Sequence, residues 1–182
     1  MGKLNSFTFI TLDGYYKSIK HDTSWHHHSE EATKFSEESL ASGNTLLFGR
    51  KTYEMMAAFW PDPMANESFP KVAERMNLAN KLVISNSITQ TNWKNSQLLP
   101  SDWLREIKKL KENTNITLLG SGSILKQLAE AELIDQFQFL IDPIVIGNGY
   151  SIFKDIINPI HFNLLDSKIF QDGSILITYS KK

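Results

Sequence analysis

Two short segments combine glycine with basic or hydroxyl side chains in a pattern that suits phosphate binding. Gly49–Thr52 (Gly-Arg-Lys-Thr) and Gly120–Ser123 (Gly-Ser-Gly-Ser) each lie between an apolar strand-like segment and a helical one. Free N–H groups at a helix N-terminus favour an anion, and glycine lets backbone approach it closely. On composition alone, a solvated basic turn explains the first segment equally well. The second segment is a weak signal alone, because small residues also permit tight strand–helix packing, but two such loops on neighbouring strands reinforce each other.

Individual side chains in and near these segments add chemistry. Arg50 has the planar guanidinium that grips phosphate, and Thr52 adds a hydroxyl group. The small polar residues of the Ser85–Ser87 segment follow another strand and suit the lining of an adenosine site, although a simple turn explains them as well. Gly120–Ser123 is not the dinucleotide fingerprint, because Leu125 stands at the third glycine position and no Walker lysine follows.

Acid, base and metal chemistry has few candidates. Asp13, at the end of the first strand, is the acidic residue best placed for proton transfer, and capping a turn with Gly14 is an equally good interpretation. The run His26–His28 suggests a metal site, but neighbouring side chains point in different directions and no matched carboxylate cluster accompanies it. The sequence therefore predicts no metal site and a solvated loop at the histidines.

The overall composition narrows the functional class. The chain has 182 residues, enough for one domain with a substantial core, and its net charge of -1 gives no global basic field for nucleic acid or an anionic membrane. It has no cysteine, which excludes disulfides and thiolate chemistry and fits a reducing compartment. No stretch approaches the roughly 20 apolar residues that span a bilayer. No apolar signal-peptide run follows Met1, so we expect a cytoplasmic protein.

Strand-like and helical segments alternate through the first two thirds of the chain. The predicted strands are Leu4–Leu12, Thr45–Phe48, Lys81–Ser85 and Ile116–Leu119. Helices are predicted after Ser29, which caps a first turn containing Glu30 and Glu31, over Lys51–Ala58, around Phe69–Met76, after Ser101 or Asp102 with Leu104, Ile107 and Leu110 facing inward, and from Ile124.

The last third changes to a β-rich pattern. Phe137–Ile141 and Ile144–Ile146 are predicted strands, and Phe162–Phe170 and Ser174–Tyr179 flank Asp172-Gly173, a type I′ hairpin turn. The sequence therefore predicts an α/β fold whose mixed sheet is parallel in the middle, antiparallel at one edge and covered by helices.

Taken together, these segments resemble the dihydrofolate-reductase-like superfamily, most closely the branch of the C-terminal reductase domain of the bifunctional riboflavin-biosynthesis deaminase-reductase. The resemblance extends along nearly the whole chain. It is carried by Thr11–Tyr15 (Thr-Leu-Asp-Gly-Tyr), the Gly-Arg-x-Thr turn at Gly49–Thr52, the strand Lys81–Ser85, and the long stretch from Leu119 through Leu133-Ile134-Asp135 and Pro143–Gly149 to Phe153.

The resemblance implies a three-layer dihydrofolate-reductase-like fold over residues 1–182 as a single domain, and NADPH as cofactor. The cofactor-binding positions it implies are Thr11, Gly49, Arg50, Lys51, Thr52, Ser85, Asn86, Gly120, Ser121, Gly122 and Ser123. Asp13 or an ordered water would supply the proton. The implied reaction is similar to that of 5-amino-6-(5-phosphoribosylamino)uracil reductase, and the alternative is a non-catalytic NADP(H)-binding protein. A homodimer and a small-molecule substrate are implied, with no nucleic-acid or membrane partner.

Overall fold

The computed structural model describes residues 1–156 and 158–182. Within these residues the strands are β1 (Leu4–Thr11), β2 (Tyr15–Ser18), β3 (Thr45–Gly49), β4 (Lys81–Ile84), β5 (Ser96–Leu98), β6 (Ile116–Leu119), β7 (Gln136–Asp142), β8 (Gly149–Ser151), β9 (Phe162–Ile169) and β10 (Ile175–Lys181). The helices are α1 (Glu30–Ala41), α2 (Arg50–Phe59), α3 (Pro63–Ser68), α4 (Pro70–Leu78), α5 (Trp103–Leu110) and α6 (Gly122–Glu130).

Eight of the described strands form one sheet in the order β5-β4-β3-β6-β1-β7-β10-β9. The pairs from β5 to β7 are parallel, whereas β10 is antiparallel to both β7 and β9. The predicted mixed, mostly parallel sheet with a C-terminal antiparallel hairpin is therefore confirmed. Strands β2 and β8 form a separate two-stranded antiparallel sheet.

Helices cover both faces of the large sheet because its central strands are apolar on both sides. In β3, Leu47 packs into a core that contains Ile107 of α5 and Leu125 of α6. Its neighbours Leu46 and Phe48 point the other way, into a core with α4. A third core places Ala32 of α1 beside the antiparallel strands β7 and β10. The result is the three-layer arrangement that the resemblance implies.

Two features of the hairpin and of α5 differ from the prediction. Asp172-Gly173 does not form a type I′ turn, because Gly173 has a φ of 84° while Asp172 is not among the residues with positive φ. Phe170 N–H instead donates to the Ser174 carbonyl, which closes a three-residue loop. In α5, Ile107 is buried as predicted, but Trp103 is the second buried residue and Leu104 is 37% exposed.

The segment Ile144–Ile146 was predicted as a strand and is irregular. Its backbone is bonded to another turn: Leu12 N–H donates to the Ile144 carbonyl, and Ile146 N–H donates to the Asp13 carboxylate. The strand in this region is β8, three residues farther on. The sequence patterns also missed β2, β5 and α3, each of which has six residues or fewer.

Candidate cofactor and active site

The three polar segments singled out in the sequence meet at one edge of the sheet. They follow β4, β3 and β6, which are neighbours, and the carboxyl ends of neighbouring parallel strands lie together. They border a cleft of about 1110 Å³. The predicted cofactor residues in its lining are Gly49, Arg50, Lys51, Thr52, Ser85, Asn86, Gly120, Ser121 and Ser123.

Ser121 joins the two glycine-containing segments. Its Oγ accepts a hydrogen bond from Gly49 N–H at 2.9 Å and shares another with Thr52 Oγ1 at 2.9 Å. Its backbone is left-handed (φ 59°, ψ 70°), a conformation that costs a non-glycine residue about 1 to 3 kcal/mol. A Cβ at position 49 would lie 2.5 Å from Ser121 Oγ, so this junction requires glycine there.

Basic side chains gather at the mouth of the cleft beside this junction. Arg50 Nη1 lies 3.1 Å from both carboxylate oxygens of Glu54, one helical turn later. Lys17 and Lys51 both line the cleft. Burial, followed by the nearby charge of Lys51, lowers the pKa of Lys17. A bound anion would relieve this repulsion.

A small flap, which we define as the β2–β8 sheet, covers the Gly120–Ser123 loop. A Cβ added to Gly122 would lie 2.7 Å from the Tyr16 ring, so the flap rests directly on this glycine. Lys17 Nζ lies 4.5 Å from the centre of the Tyr150 ring, and that ring stacks on His21. The sequence patterns missed Lys17 because its flap pairs segments about 130 residues apart.

The inner part of the cleft is an aromatic lobe. It opens beside β1, whose pairing with β6 ends at Phe7 while its pairing with β7 continues to Thr11. The lobe is lined by Phe7, Phe9, Phe35, Leu40, Met56, Phe59, Trp60 and Phe69. The buried Thr8 Oγ1, also in the cleft lining, has no hydrogen-bond partner among the described residues. Such a surface suits a flat ring with few polar atoms.

Of the predicted site residues, Thr11, Asp13 and Gly122 do not line the cleft. The Asp13 carboxylate accepts hydrogen bonds from the Thr11 hydroxyl and from the N–H groups of Ile146 and Gly147. The bond from Thr11, with smaller contributions from the backbone groups, lowers the pKa of Asp13 although partial burial opposes them. An ionised, turn-binding carboxylate fits the capping interpretation and argues against Asp13 as the proton donor.

The prediction of a solvated loop at the three histidines was wrong for His26. The residue is 8% exposed, its ring stacks on Phe9 with centroids 3.7 Å apart, and its Nδ1 lies 2.9 Å from both oxygens of Asp142. His27 and His28 are both exposed, as predicted, and His28 also lies on the cleft wall. No local sequence pattern indicates this pair, because its partners are 116 residues apart.

Among residues 1–156 and 158–182, no group of three or more histidine, aspartate, glutamate or cysteine side chains is arranged to hold a metal ion. The described part of the chain likewise contains no helix with the length and hydrophobicity needed to cross a membrane.

Comparison with known proteins assigns the family. Residues 2–176 match the RibD C-terminal domain family. The chain belongs to this family. A relative in Bacillus subtilis (strain 168), the uncharacterized protein YyaP, is 26% identical over 175 residues, which cover 93% of this chain and 90% of YyaP.

Solved structures show the same fold at low sequence identity. A protein provisionally assigned to riboflavin biosynthesis in Shewanella sp. PV-4 has a TM-score of 0.77 at 21% identity, with 99% of each chain covered. The Thermotoga maritima deaminase/5-amino-6-(5-phosphoribosylamino)uracil reductase has a TM-score of 0.69 at 15% identity, and this chain covers 57% of it. Dihydrofolate reductase from Enterococcus faecalis, solved with NADP(H), has a TM-score of 0.65 at 17% identity, with 100% and 97% covered. RibD domains and dihydrofolate reductase thus share this chain's architecture.

Proposed function

We propose that this protein is an NADPH-dependent reductase that transfers a hydride to a C=O or C=N bond of a small heterocyclic or sugar-bearing substrate. This proposed reaction resembles that of 5-amino-6-(5-phosphoribosylamino)uracil reductase. The observation that carries the proposal is the Ser121 junction, which joins two potential phosphate-binding segments at one end of a cleft whose other end is an aromatic lobe. One end suits phosphate groups and the other suits a ring.

The cofactor would lie along the carboxyl ends of β4, β3 and β6. The Gly120–Ser123 loop and the N-terminus of α2 would hold the pyrophosphate through backbone N–H groups. Ser85 and Asn86 would line the adenosine side and carry no charge. Preference for NADPH over NADH would therefore depend mainly on Arg50, whose guanidinium suits the extra phosphate.

In this proposal the cofactor supplies the hydride, and the protein binds and orients the two reactants. The aromatic lobe would hold the substrate ring by burying its faces, because flat apolar surfaces gain free energy when they leave water. The small-molecule substrate enters through the open mouth of the cleft, beside Lys17 and Lys51.

The first experiment is titration of NADPH and, separately, NADH, followed by nicotinamide fluorescence. We expect NADPH to bind more tightly, and Arg50→Ala to weaken NADPH binding by about 1 to 3 kcal/mol with a smaller effect on NADH. Arg105→Ala is the matched control, because Arg105 is exposed and lies outside the cleft lining. Unchanged NADPH affinity in Arg50→Ala would remove the phosphate assignment.

Glu54→Gln gives a prediction of opposite sign within the same titration. The Glu54 carboxylate bonds to Arg50 and also lines the cleft, so it competes with a bound phosphate. Neutralising it should leave Arg50 free and tighten NADPH binding. Weaker binding in this variant would mean that the ion pair supports the site rather than competing with the cofactor.

The alternative function is non-catalytic NADP(H) binding on the same fold. Oxidation of NADPH, measured by absorbance with 5-amino-6-(5-phosphoribosylamino)uracil and then with dihydrofolate as acceptor, separates the two. Turnover of either acceptor supports a reductase. Cofactor binding without turnover of any acceptor in a wider pterin, pyrimidine and flavin-precursor screen favours the alternative.

The proposed reductase would act as a cytoplasmic homodimer. With a net charge of -1, the chain has no global positive field that would attract a nucleic acid or an anionic membrane surface. The dimer would use the exposed edge of the C-terminal β-rich region.

A further inference from the structure

A buried histidine–aspartate pair lies at the back of the aromatic lobe. Asp142, the last residue of β7, is 3% exposed, and its two oxygens each lie 2.9 Å from His26 Nδ1. A carboxylate accepts hydrogen bonds, so Nδ1 carries the proton in this pair. Phe9 of β1 stacks on the same ring at 3.7 Å and fixes its plane.

His28 lies between this pair and the cleft. Its ring is perpendicular to that of His26 (84°), with centroids 4.6 Å apart, and it lines the cleft. Phe69 packs against it at 5.5 Å. The buried His26 Nε2 has no hydrogen-bond partner among the described residues, so the contact between His26 and His28 is ring packing rather than a hydrogen bond.

The cleft needs a proton source that the residues predicted from sequence do not provide. Asp13 lies outside the lining and is held by a turn. Glu54 is the one carboxylate in the described lining, and it is bonded to Arg50 at the phosphate end. His28 is the titratable side chain at the aromatic end.

We propose that His28 is a catalytic residue that donates a proton to the substrate, and that His26 and Asp142 are positioning residues that fix its ring. The inference rests on the proposed reductase function. The hydride leaves nicotinamide C4 with two electrons and bonds to the substrate carbon. The proton passes from the His28 imidazolium to the substrate nitrogen or oxygen. NADP⁺ and neutral imidazole remain, and solvent at the open cleft returns the proton.

The surroundings of His28 set the direction of the pH dependence. His28 is exposed on the cleft wall, yet partial desolvation by the surrounding side chains lowers the pKa of His28, the neighbouring His26 and His27 lower it further, and Asp142 opposes them. The aromatic side chains packed against it from β1 and before α4, Phe9 and Phe69, carry no charge. The donor must be protonated, so kcat/KM should fall tenfold per pH unit above a pKa lower than 6.5.

The test compares wild type, His28→Gln, His28→Asn and His27→Gln, with NADPH and 5-amino-6-(5-phosphoribosylamino)uracil between pH 5 and 9. Both His28 variants should lose about 10² to 10⁴-fold in kcat, the usual contribution of a general acid, and should lose the pH-dependent limb. Their affinity for NADPH should be unchanged. His27→Gln, at an exposed neighbour, should keep the wild-type kcat, and the pH at which kcat/KM falls should rise only slightly because the charge of His27 lowers the pKa of His28.

His26→Gln and Asp142→Asn test the positioning role. Each should lower kcat by a smaller factor than the His28 variants and should shift the pH above which kcat/KM falls. KM for NADPH should stay constant. A merely structural role would leave the limb in place, and that result would overturn the positioning assignment.

The outcomes separate this role from the proposed function. Wild-type turnover that both His28 variants retain overturns the catalytic role alone. NADPH binding without wild-type turnover overturns the reductase function and this role together. Loss of NADPH binding in both His28 variants, or an equal loss of kcat in His27→Gln, makes the effect structural and also overturns the role.

Discussion

At the scale of single residues, polar side chains in this protein are fixed by partners far away in the sequence. Ser121 bonds to Gly49, Asp13 to Gly147, and His26 to Asp142. Each bond ties together loops at the carboxyl ends of strands. A residue type alone therefore indicated possible chemistry, whereas the partner determined the role.

Lys81 is the clearest example outside the cleft. It is 1% exposed, and its Nζ donates to the carbonyl oxygens of Asn77, Ala79 and Lys94. It also lies 4.4 Å from the centre of the Trp93 ring. The ammonium group thus satisfies the C-terminal end of α4, while burial lowers the pKa of Lys81 to about 8.

This pKa predicts a pH-dependent stability. The pKa in the folded chain is about 8 and the ordinary value is 10.5, so between these values the unfolded chain binds more protons. The free energy of unfolding of wild type should therefore rise with pH relative to Lys81→Met, by up to about 1.4 kcal/mol per pH unit. Urea unfolding between pH 7.5 and 10.5 measures the difference. Lys109→Met, at an exposed lysine, is the control; a difference that does not change with pH contradicts the assignment.

At the scale of elements, the flap and the Gly120–Ser123 loop form a unit. The flap pairs Tyr15–Ser18 with Gly149–Ser151, and neither strand is long enough to be stable alone. The Tyr16 ring of the flap packs directly against the backbone of Gly122. The packing of the flap therefore requires glycine at position 122, independently of any ligand that the loop binds.

A double-mutant cycle tests this contact. Gly122→Ala should cost about 1 to 3 kcal/mol of unfolding free energy, because its Cβ would overlap the Tyr16 ring. In a Tyr16→Ala background the same substitution should cost much less, since the overlapping ring is gone. Urea unfolding of the four proteins gives the coupling. Equal costs in the two backgrounds would show that the flap does not rest on Gly122.

At the scale of the whole molecule, the two edges of the large sheet differ. One edge is the three-residue strand β5, and the other is the eight-residue strand β9. Exposed apolar side chains lie along β9, with Leu164 60%, Leu165 51% and Ile169 76% exposed. A long edge with exposed apolar residues is a surface on which a second chain can pair.

We expect wild type to be a dimer by size-exclusion chromatography with light scattering. Leu165→Lys combined with Ile169→Lys should give a monomer, because the two charges would be buried without partners. Leu78→Lys is the control, since Leu78 is 62% exposed on α4, away from this edge. A wild-type monomer at micromolar concentration, or a dimer that survives the double substitution, would place the interface elsewhere or remove it.

The sequence by itself determined the fold and one end of the cleft. The alternation of apolar strands with amphipathic helices, followed by a β-rich end, predicted the mixed sheet, because local periodicity records which face of each element is buried. The positions of Gly49–Thr52 and Gly120–Ser123 after strands predicted their meeting, since parallel strands bring their carboxyl ends together. The assignments of individual residues to NADPH stay predictions.

The tertiary structure alone decided which polar residues face the cleft. Asp13 follows the first strand, as predicted. Its carboxylate, however, accepts a hydrogen bond from Gly147 N–H and does not line the cleft. Lys17 had no distinguishing sequence pattern, and His28 was noticed only as part of the His26–His28 run; both lie on the cleft walls. Their positions depend on pairings across more than a hundred residues, between Asp142 and His26 and between β8 and β2. Local periodicity does not predict such pairings, because they form only when the complete fold packs together.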